Sequence, residues 1–487
     1  MIQEKKSITK NYMYNLIYQV LVLISPLITT PYISRVLGAE NIGIYSYTLS
    51  ITAYFILFGA LGMSLYAQRE VAYNQDEPQT YSLIFWEMVV LRIITMSISI
   101  LIYYFTIIQY GTYQLYYKIL ILEILGNCID ITWFFQGLEE FKKIVKRNVI
   151  IKLISIICTF AFVKTSNDLV IYFIIYVLTL LIGNLSLWLY LPKFLVKIDI
   201  KKMHIFRHLK PTISLFIPQV AVQVYTILDK TMVGTIVQEK AEVGYYDQSQ
   251  KIIKIALSVV TSLGTVMLPR IANNYIKNEK EAVRAYMKKS FNLIFLLSFP
   301  MMFGVLAVSG RFVPVFFGQG YGRVIILMNV ISPIFVLIGL SNVMGTQYLL
   351  PTKRQKEYTI SVVSGAILNF VANMCLIWKL KAVGASIGTV IAEIAVTSVQ
   401  LYFVRKDFKI KDLLKMSKNY IISSVIMFGV CCVTGMIIKD NLIATVLEVV
   451  IGIITYLACL IILKEEFIGE ILDKLKIQGN FKITKNR

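Results

Sequence analysis

The sequence predicts an all-α polytopic membrane protein of about fourteen transmembrane helices, and three observations carry that expectation. The first is composition. Of the 487 residues, 57% are hydrophobic, above the roughly 45–50% apolar content of soluble domains. The second is run length, since stretches of the roughly 20 apolar residues that a bilayer crossing needs recur from end to end. The third is the placement of charge. The net charge is +21, and the Lys and Arg residues gather in short segments between the apolar runs, which is how membrane topology is set. That pattern points to a membrane rather than to nucleic acid, and the sequence holds no recognisable nucleic-acid-binding module.

Apolar runs read against their polar breaks place the spans near 11–34, 42–66, 80–106, 114–136, 147–165, 168–191, 212–236, 246–269, 289–309, 324–347, 358–378, 383–405, 418–438 and 442–464. With the N-terminus inside, 35 of the 49 Lys and Arg fall in inside segments and 8 in outside loops. This bias puts both termini in the cytoplasm, and an even number of spans agrees. Lys5, Lys6 and Lys10 precede the first run, with no short apolar region and small-residue cleavage site after them. The first span is therefore expected to remain as an anchor. The six cysteines all lie inside apolar runs and form no CxxC pair, so neither a disulfide framework nor a zinc site is expected.

An internal duplication is visible. Gly43 and Tyr45 in "NIGIYSY" match Gly244 and Tyr246 in "EVGYYDQ". The same offset relates Arg69 in "AQREVA" to Arg270 in "LPRIAN". A looser match pairs Gln136, Lys142 and Lys143 with Gln347, Lys353 and Arg354. Six spans separate the copies, so they share one orientation. Two six-helix halves related by an axis along the membrane normal follow, a known transporter plan. The expected domains are 1–200 and 201–410, six helices each, and 411–487, two extra helices and a cytoplasmic tail.

Ionisable residues inside spans mark functional candidates, and several align at helical steps of three and four. Span eight carries Asp247, Lys251, Lys254 and Ser258 on one face. Span seven carries Gln219, Gln223, Thr226 and Lys230, with Asp229 about a quarter-turn away. Span four carries Glu123, Asn127 and Asp130, and span one Asn11, Asn15, Tyr18 and Thr29. Span three carries Arg92, Thr95 and Ser99, with Glu87 on another side. Ordinary readings stand beside the functional ones. The lysines can snorkel to an interface, the acids can pair with Lys118, Arg92 or Lys152, and the amides can bond between helices. Clustering on spans one and seven, which are equivalent in the two halves, favours a shared central cavity. Pro26 and Pro31 are expected to end span one, and Pro211 and Pro218 to start span seven, as hinges or static kinks. The two histidines, His204 and His208, fall in the loop between spans six and seven, so a histidine relay or metal site is not expected. No P-loop, GxSxG or HExxH occurs, and no large extramembrane domain is available to host catalysis. A transporter rather than an enzyme is expected.

Four stretches resemble the Wzx-type polysaccharide flippases of the multidrug/oligosaccharidyl-lipid/polysaccharide exporter superfamily. They are "TPYISRVLGAENIGIYSYTLSIT" (30–52), "LGMSLYAQREVA" (61–72), "WFFQGLEEFKKIVKRNVIIKLI" (133–154) and "LDKTMVGTIVQEKAEVGYYDQSQKI" (228–252). The resemblance covers about the first 400 residues. It implies fourteen helices in two V-shaped bundles that work by alternating access in a bacterial cytoplasmic membrane. The implied substrate is an oligosaccharide repeat unit on undecaprenyl diphosphate, moved from the cytoplasmic to the outer leaflet for O-antigen, capsule or exopolysaccharide assembly. No cofactor is implied beyond coupling to a proton or sodium gradient. The implied partners are lipid-linked oligosaccharide, membrane lipid, and a glycan polymerase with other assembly proteins.

The residues suit that substrate. Ammonium groups bind a diphosphate as point charges, so Lys230, Lys251 and Lys254 are candidates for it. Gln219, Gln223, Asn15, Tyr18 and Tyr225 are candidates for the sugar. Arg69 and Arg270, at equivalent inner ends, are candidates to guide the headgroup in, and Glu123 and Asp130 to carry coupling ions. Two alternatives remain. A multidrug/toxin exporter of the same superfamily is disfavoured by the cationic stripe of span eight. An integral-membrane glycosyltransferase or glycan polymerase would need a larger outside loop or an acidic catalytic motif.

Overall fold

The computed structural model describes residues 8–438 and 441–470, with side chains described except at 8–20, 217–226, 263, 265 and 266. Among the described residues all regular structure is helical, as a chain with no water to satisfy its backbone requires. Packing divides it into two units, Met1–Gly244 and Tyr245–Arg487.

The first unit opens on α1 (Ile8–Ala60). Two spans were expected here, the first ending at Pro26 and Pro31. The helix instead runs through both prolines and breaks at Gly38, with φ 77° and ψ 168°. Glycine adopts that conformation without the Cβ penalty. A proline in a membrane helix removes one backbone bond locally and is tolerated. There follow α2 (Met63–Tyr73), α3 (Pro78–Tyr103), a π-helical turn Tyr104–Ile108, α4 (Gln114–Cys128), α5 (Thr132–Gly137), α6 (Phe141–Phe162) and α7 (Leu169–Trp188). Short 3-10 turns lead into α8 (Leu209–Ile236), and α9 (Lys240–Thr261) begins in this unit.

One core of the first unit explains two of the motif stretches. Met63, Ala67 and Val71 of α2 pack with Trp133, Phe134 and Phe135 of α5 and with Phe85 and Met88 of α3. A Cβ on Gly137 would stand 2.8 Å from Val71 and from the Gln68 carbonyl oxygen. "LGMSLYAQREVA" and "WFFQGL" are thus two faces of one packed core. The duplicated glycines serve another contact. A Cβ on Gly43 would overlap the Lys240 carbonyl oxygen, and one on Gly244 would overlap that of Ala39. The Gly43 and Gly244 backbones meet there with no room for a side chain.

The second unit continues α9 and adds α10 (Leu263–Ile276), α11 (Lys280–Phe317), α12 (Gly322–Ile331), α13 (Ile334–Ser341) and a π-helical segment Asn342–Leu349. Then come α14 (Gln355–Leu380), α15 (Ala382–Val404), α16 (Ile410–Ile437) and α17 (Asn441–Ile462). Helices α14 and α15 approach closely through small residues: a Cβ on Gly365 would meet Val396, and one on Gly388 would overlap Asn373. This is the small-residue packing that membrane helices use. Helices α16 and α17 pack on each other and on α11. Arg311 of α11 pairs with Glu448 of α17 at 3.2 Å and donates to the Gly435 carbonyl of α16. Tyr456 of α17 donates to the Leu296 carbonyl of α11 at 2.9 Å. The last two helices are therefore bound into their unit by polar contacts as well as packing.

Ten stretches of the described residues are long and apolar enough to cross a membrane, the first of them, Leu21–Tyr73, running from within the first expected span through the whole of the second. Helices α6, α8 and α9 fall outside that set. The middle of α8, residues 217–226, lies outside the residues whose side chains are described. The other two carry charge within their length: Lys142, Lys143, Lys146, Arg147 and Lys152 in α6, and Lys240, Glu242, Asp247, Lys251 and Lys254 in α9.

Candidate functional site

In the first unit Glu123, on α4, is a buried acid, 7% exposed. Tyr176 of α7 donates to its Oε1 at 2.7 Å. Its Oε2 has no hydrogen-bond partner among the described residues. Tyr176 itself belongs to an aromatic cluster. Tyr45 of α1 lies against Tyr172, Phe173 and Tyr176, with centroids 4.8, 5.0 and 5.8 Å away. Tyr116 stacks on Phe173 at 4.7 Å. No cation pairs with Glu123 among the described residues. A buried carboxylate held by one phenol is poorly compensated, so a proton or another cation would stabilise it.

Asp130 does not share that setting. Sequence spacing put it on one helical face with Glu123, but α4 ends at Cys128. Its Oδ1 accepts from the Thr132 backbone N–H at 2.9 Å and from the Thr132 hydroxyl. Arg147 donates to Thr132 Oγ1 at 3.0 Å and to Asn184 Oδ1 at 2.6 Å. Asp130 thereby organises the turn between α4 and α5.

The loop histidines are not both solvent groups. His208 is 3% exposed. Its Nε2 lies 2.8 Å from Glu87 Oε2 and its Nδ1 2.9 Å from the Tyr66 hydroxyl. Arg207 donates to the same Glu87 oxygen at 2.5 Å, and the His204 backbone N–H donates to Glu87 Oε1 at 2.6 Å. Glu87, set aside in the sequence as lying off the polar face, is the fully buried anchor on which the connection into α8 is fastened.

The other candidates are spread over both units. Arg69 is exposed on α2, 3.2 Å from Glu70 and 5.5 Å from the Tyr66 ring. Arg270 is exposed on α10. Lys230 is half-buried on α8 beside buried Asp229, and the next residue, Thr231, donates to Ser50 of α1 at 3.1 Å. The side chains of Asn15, Tyr18, Gln219, Gln223 and Tyr225 lie outside the described residues. On α9, Lys251 pairs with Asp247 at 2.7 Å across one helical turn. Asp247 is buried and Lys254 exposed. Around this pair Tyr246, Gln248, Ser249 and Gln250 are all buried, and the Gln250 amide nitrogen has no partner among the described residues.

The two units show a matching feature at their duplicated tyrosines. Tyr45 packs on α7 of the first unit, and Tyr246 reaches Thr389 of α15 in the second, oxygen to oxygen at 3.2 Å. Sequence reading missed a buried polar stripe on α14: Ser361, Gly365, Asn369 and Asn373, at steps of four. Asn373 donates to Asn369 at 3.2 Å, and Gln400 of α15 to Ser361 at 3.1 Å. The spacing was there to be read, but none of these residues is ionisable. Before α14, Arg354 donates to Asp407 at 3.0 Å, to Glu357 at 3.1 Å and to the Phe403 carbonyl at 2.9 Å. Burial opposes its charge, yet Glu357 and Asp407 hold its pKa above the ordinary guanidinium value. Among the described residues no three His, Cys, Asp or Glu side chains are grouped so as to hold a metal ion.

Residues 8–275, more than half of the chain, match the family described as polysaccharide biosynthesis protein. The chain belongs to that family. It is a Wzx-type polysaccharide flippase, a transporter rather than an enzyme. Residues 149–454 of the flippase also match the family described as lipid II flippase MurJ. A protein of Escherichia coli strain K12 named as an O-antigen transporter is 27% identical over 408 residues, covering 83% of this chain and 98% of its own. One of Shigella dysenteriae with the same name is 22% identical, covering 78% and 96%. The fold is shared with a lipid II flippase MurJ in an inward closed conformation, with TM-score 0.75 and 19% identity over 94% of this chain and 100% of that one. It is shared more distantly with an inward-facing multidrug resistance transporter, with TM-score 0.63 and 12% identity over 80% and 96%.

Proposed function

We propose that the flippase moves oligosaccharide repeat units carried on undecaprenyl diphosphate from the cytoplasmic to the outer leaflet, by alternating access, for surface polysaccharide assembly. The observation that carries this reading is the family match over 8–275 in a chain of long apolar helices whose Lys and Arg crowd one side. Charge asymmetry supports cytoplasmic termini and fourteen crossings, with α6, α8 and α9 crossing despite their charge. Lys230, Lys251 and Lys254 meet the diphosphate, and Asn15, Tyr18, Gln219 and Gln223 the sugar. Arg69 and Arg270 stand at the inner entrances. Glu123, buried with one bare oxygen, takes up the coupling cation. Asp130, engaged in its turn, takes the lesser part. A multidrug exporter shares the fold, but a stripe bearing two lysines repels organic cations.

Reconstitution tests this. Liposomes holding the protein and labelled undecaprenyl-diphosphate oligosaccharide should show leaflet transfer above protein-free liposomes. Glu123→Gln should abolish its dependence on an imposed proton or sodium gradient while leaving insertion intact. Transfer at the protein-free rate for every glycan of the host's own surface polymer would end the reading.

A further inference from the structure

The charge that sets topology also lines a cavity. In the second unit the turn between α10 and α11, the segment after the π-helical residues 342–349 and the segment after α15 converge on a pocket of 320 Å³. Lys280, Arg284 and Arg354 line it, against one carboxylate, Asp407, with Tyr275 and Tyr348 beside them. Arg354 is engaged within the protein by Asp407, Glu357 and the Phe403 carbonyl. Tyr348 packs on Phe408 at 5.1 Å. These contacts make a fixed wall. Lys280 and Arg284 are one turn apart on α11 and exposed. Neither side chain has a hydrogen-bond or ion-pair partner among the described residues. A cation that only sets topology needs no recess beside it. Here two uncompensated cations overhang a recess of the size that takes a small ligand. The Lys/Arg asymmetry places this end at the cytoplasmic interface, where phospholipid headgroups sit and anionic ones attract basic side chains.

We infer that this pocket binds a phosphate group, supplied by the headgroup of an anionic inner-leaflet phospholipid or by a soluble phosphate ester. Arg284 offers a planar pair of donors and Lys280 a mobile ammonium, a combination suited to phosphate oxygens. The tyrosine hydroxyls suit a glycerol or sugar substituent. The site lies outside the residues assigned to the transported substrate, and its occupancy is read by binding, so it stands or falls apart from the transport reading.

Native mass spectrometry of the full chain in detergent supplies the test, with short-chain phosphatidylglycerol, short-chain phosphatidylcholine and glycerol phosphate as probes. Phosphatidylglycerol should be retained over phosphatidylcholine. Lys280→Ala with Arg284→Ala should weaken it about 30-fold, from the usual contribution of a basic residue at a membrane surface. Lys288→Ala with Lys289→Ala removes equal charge farther along α11 and should leave it within about threefold. Glycerol phosphate binding as tightly as phosphatidylglycerol would assign the site to soluble esters. Far weaker binding would assign it to lipid. Equal loss in both double variants would reduce the effect to diffuse charge and overturn the inference, as would equal retention of phosphatidylcholine. An unchanged thermal transition in the variants confirms that each is folded.

Discussion

At the scale of the residue, the Asp247–Lys251 pair shows what sequence spacing can and cannot resolve. Steps of three and four predicted one face for Asp247, Lys251, Lys254 and Ser258, and the 2.7 Å contact agrees with that alignment. Spacing did not reveal that the aspartate is buried while its lysine is about a third exposed. Removing one partner of a pair weakens the compensation of the other, and the cost falls on whichever charge is buried, here Asp247, which keeps a further contact. Lys251→Ala should therefore lower stability by about 1–3 kcal/mol, less than for a fully buried pair because solvent screens this lysine. Asp247→Asn added to it should restore the thermal transition. If Lys251 serves only Asp247, the double variant should also restore transport. If it meets the diphosphate, transport should stay low while stability recovers. Thermal melts and leaflet transfer measured on the same preparations separate the two outcomes.

At the scale of the element, the connection into α8 is the least expected part of the structure. Its histidines read as loop residues because burial of a short polar segment comes from long-range partners, here Glu87 of α3 and Tyr66 of α2. No local pattern announces such a contact. The break in α1 has a related cause. Proline was the visible breaker, but the conformation that turns the chain is that of Gly38, a residue whose freedom becomes visible only in the backbone. By contrast, stripes at steps of four, as on α14, are fully legible once uncharged polar residues are counted. Glu87 accepts from two side chains and one backbone N–H with both oxygens. Glu87→Gln turns one oxygen into a donor facing Arg207 and His208, and loses charge-assisted bonds of about 1.5–3 kcal/mol each. The variant should melt at a lower temperature. Trypsin should cut faster at Lys201 and Lys202, just before the anchored segment. Unchanged cleavage with a lowered melt would mean that Glu87 stabilises α3 without holding the connection.

At the scale of the whole molecule, helical class and the apolar runs were legible because bilayer thickness imposes one length on every crossing. The crossings of α6, α8 and α9 were read from apolar runs as well, with charge asymmetry and an even span number agreeing, although charged residues interrupt or border those runs. The duplicated landmarks gain a physical basis in Gly43 and Gly244, whose backbones meet where a methyl group would not fit. Topology remains the claim on which the rest depends. Two crossings fewer would keep the termini on one side, but losing α6 alone would invert every later loop. Single cysteines introduced into a cysteine-free background decide it. Residues 165 and 381 should react with a membrane-impermeant maleimide added outside intact cells. Residues 201 and 277 should react only after permeabilisation. Position 165 ends the α6 crossing, and 201 follows α7, so that pair isolates α6. Position 277 follows both α8 and α9 and tests them together. Labelling of 165 from the inside with 201 outside would remove α6 from the membrane. It would also move the phosphate pocket and the basic entrance at Arg270 to the opposite face, where the anionic inner leaflet could not reach them.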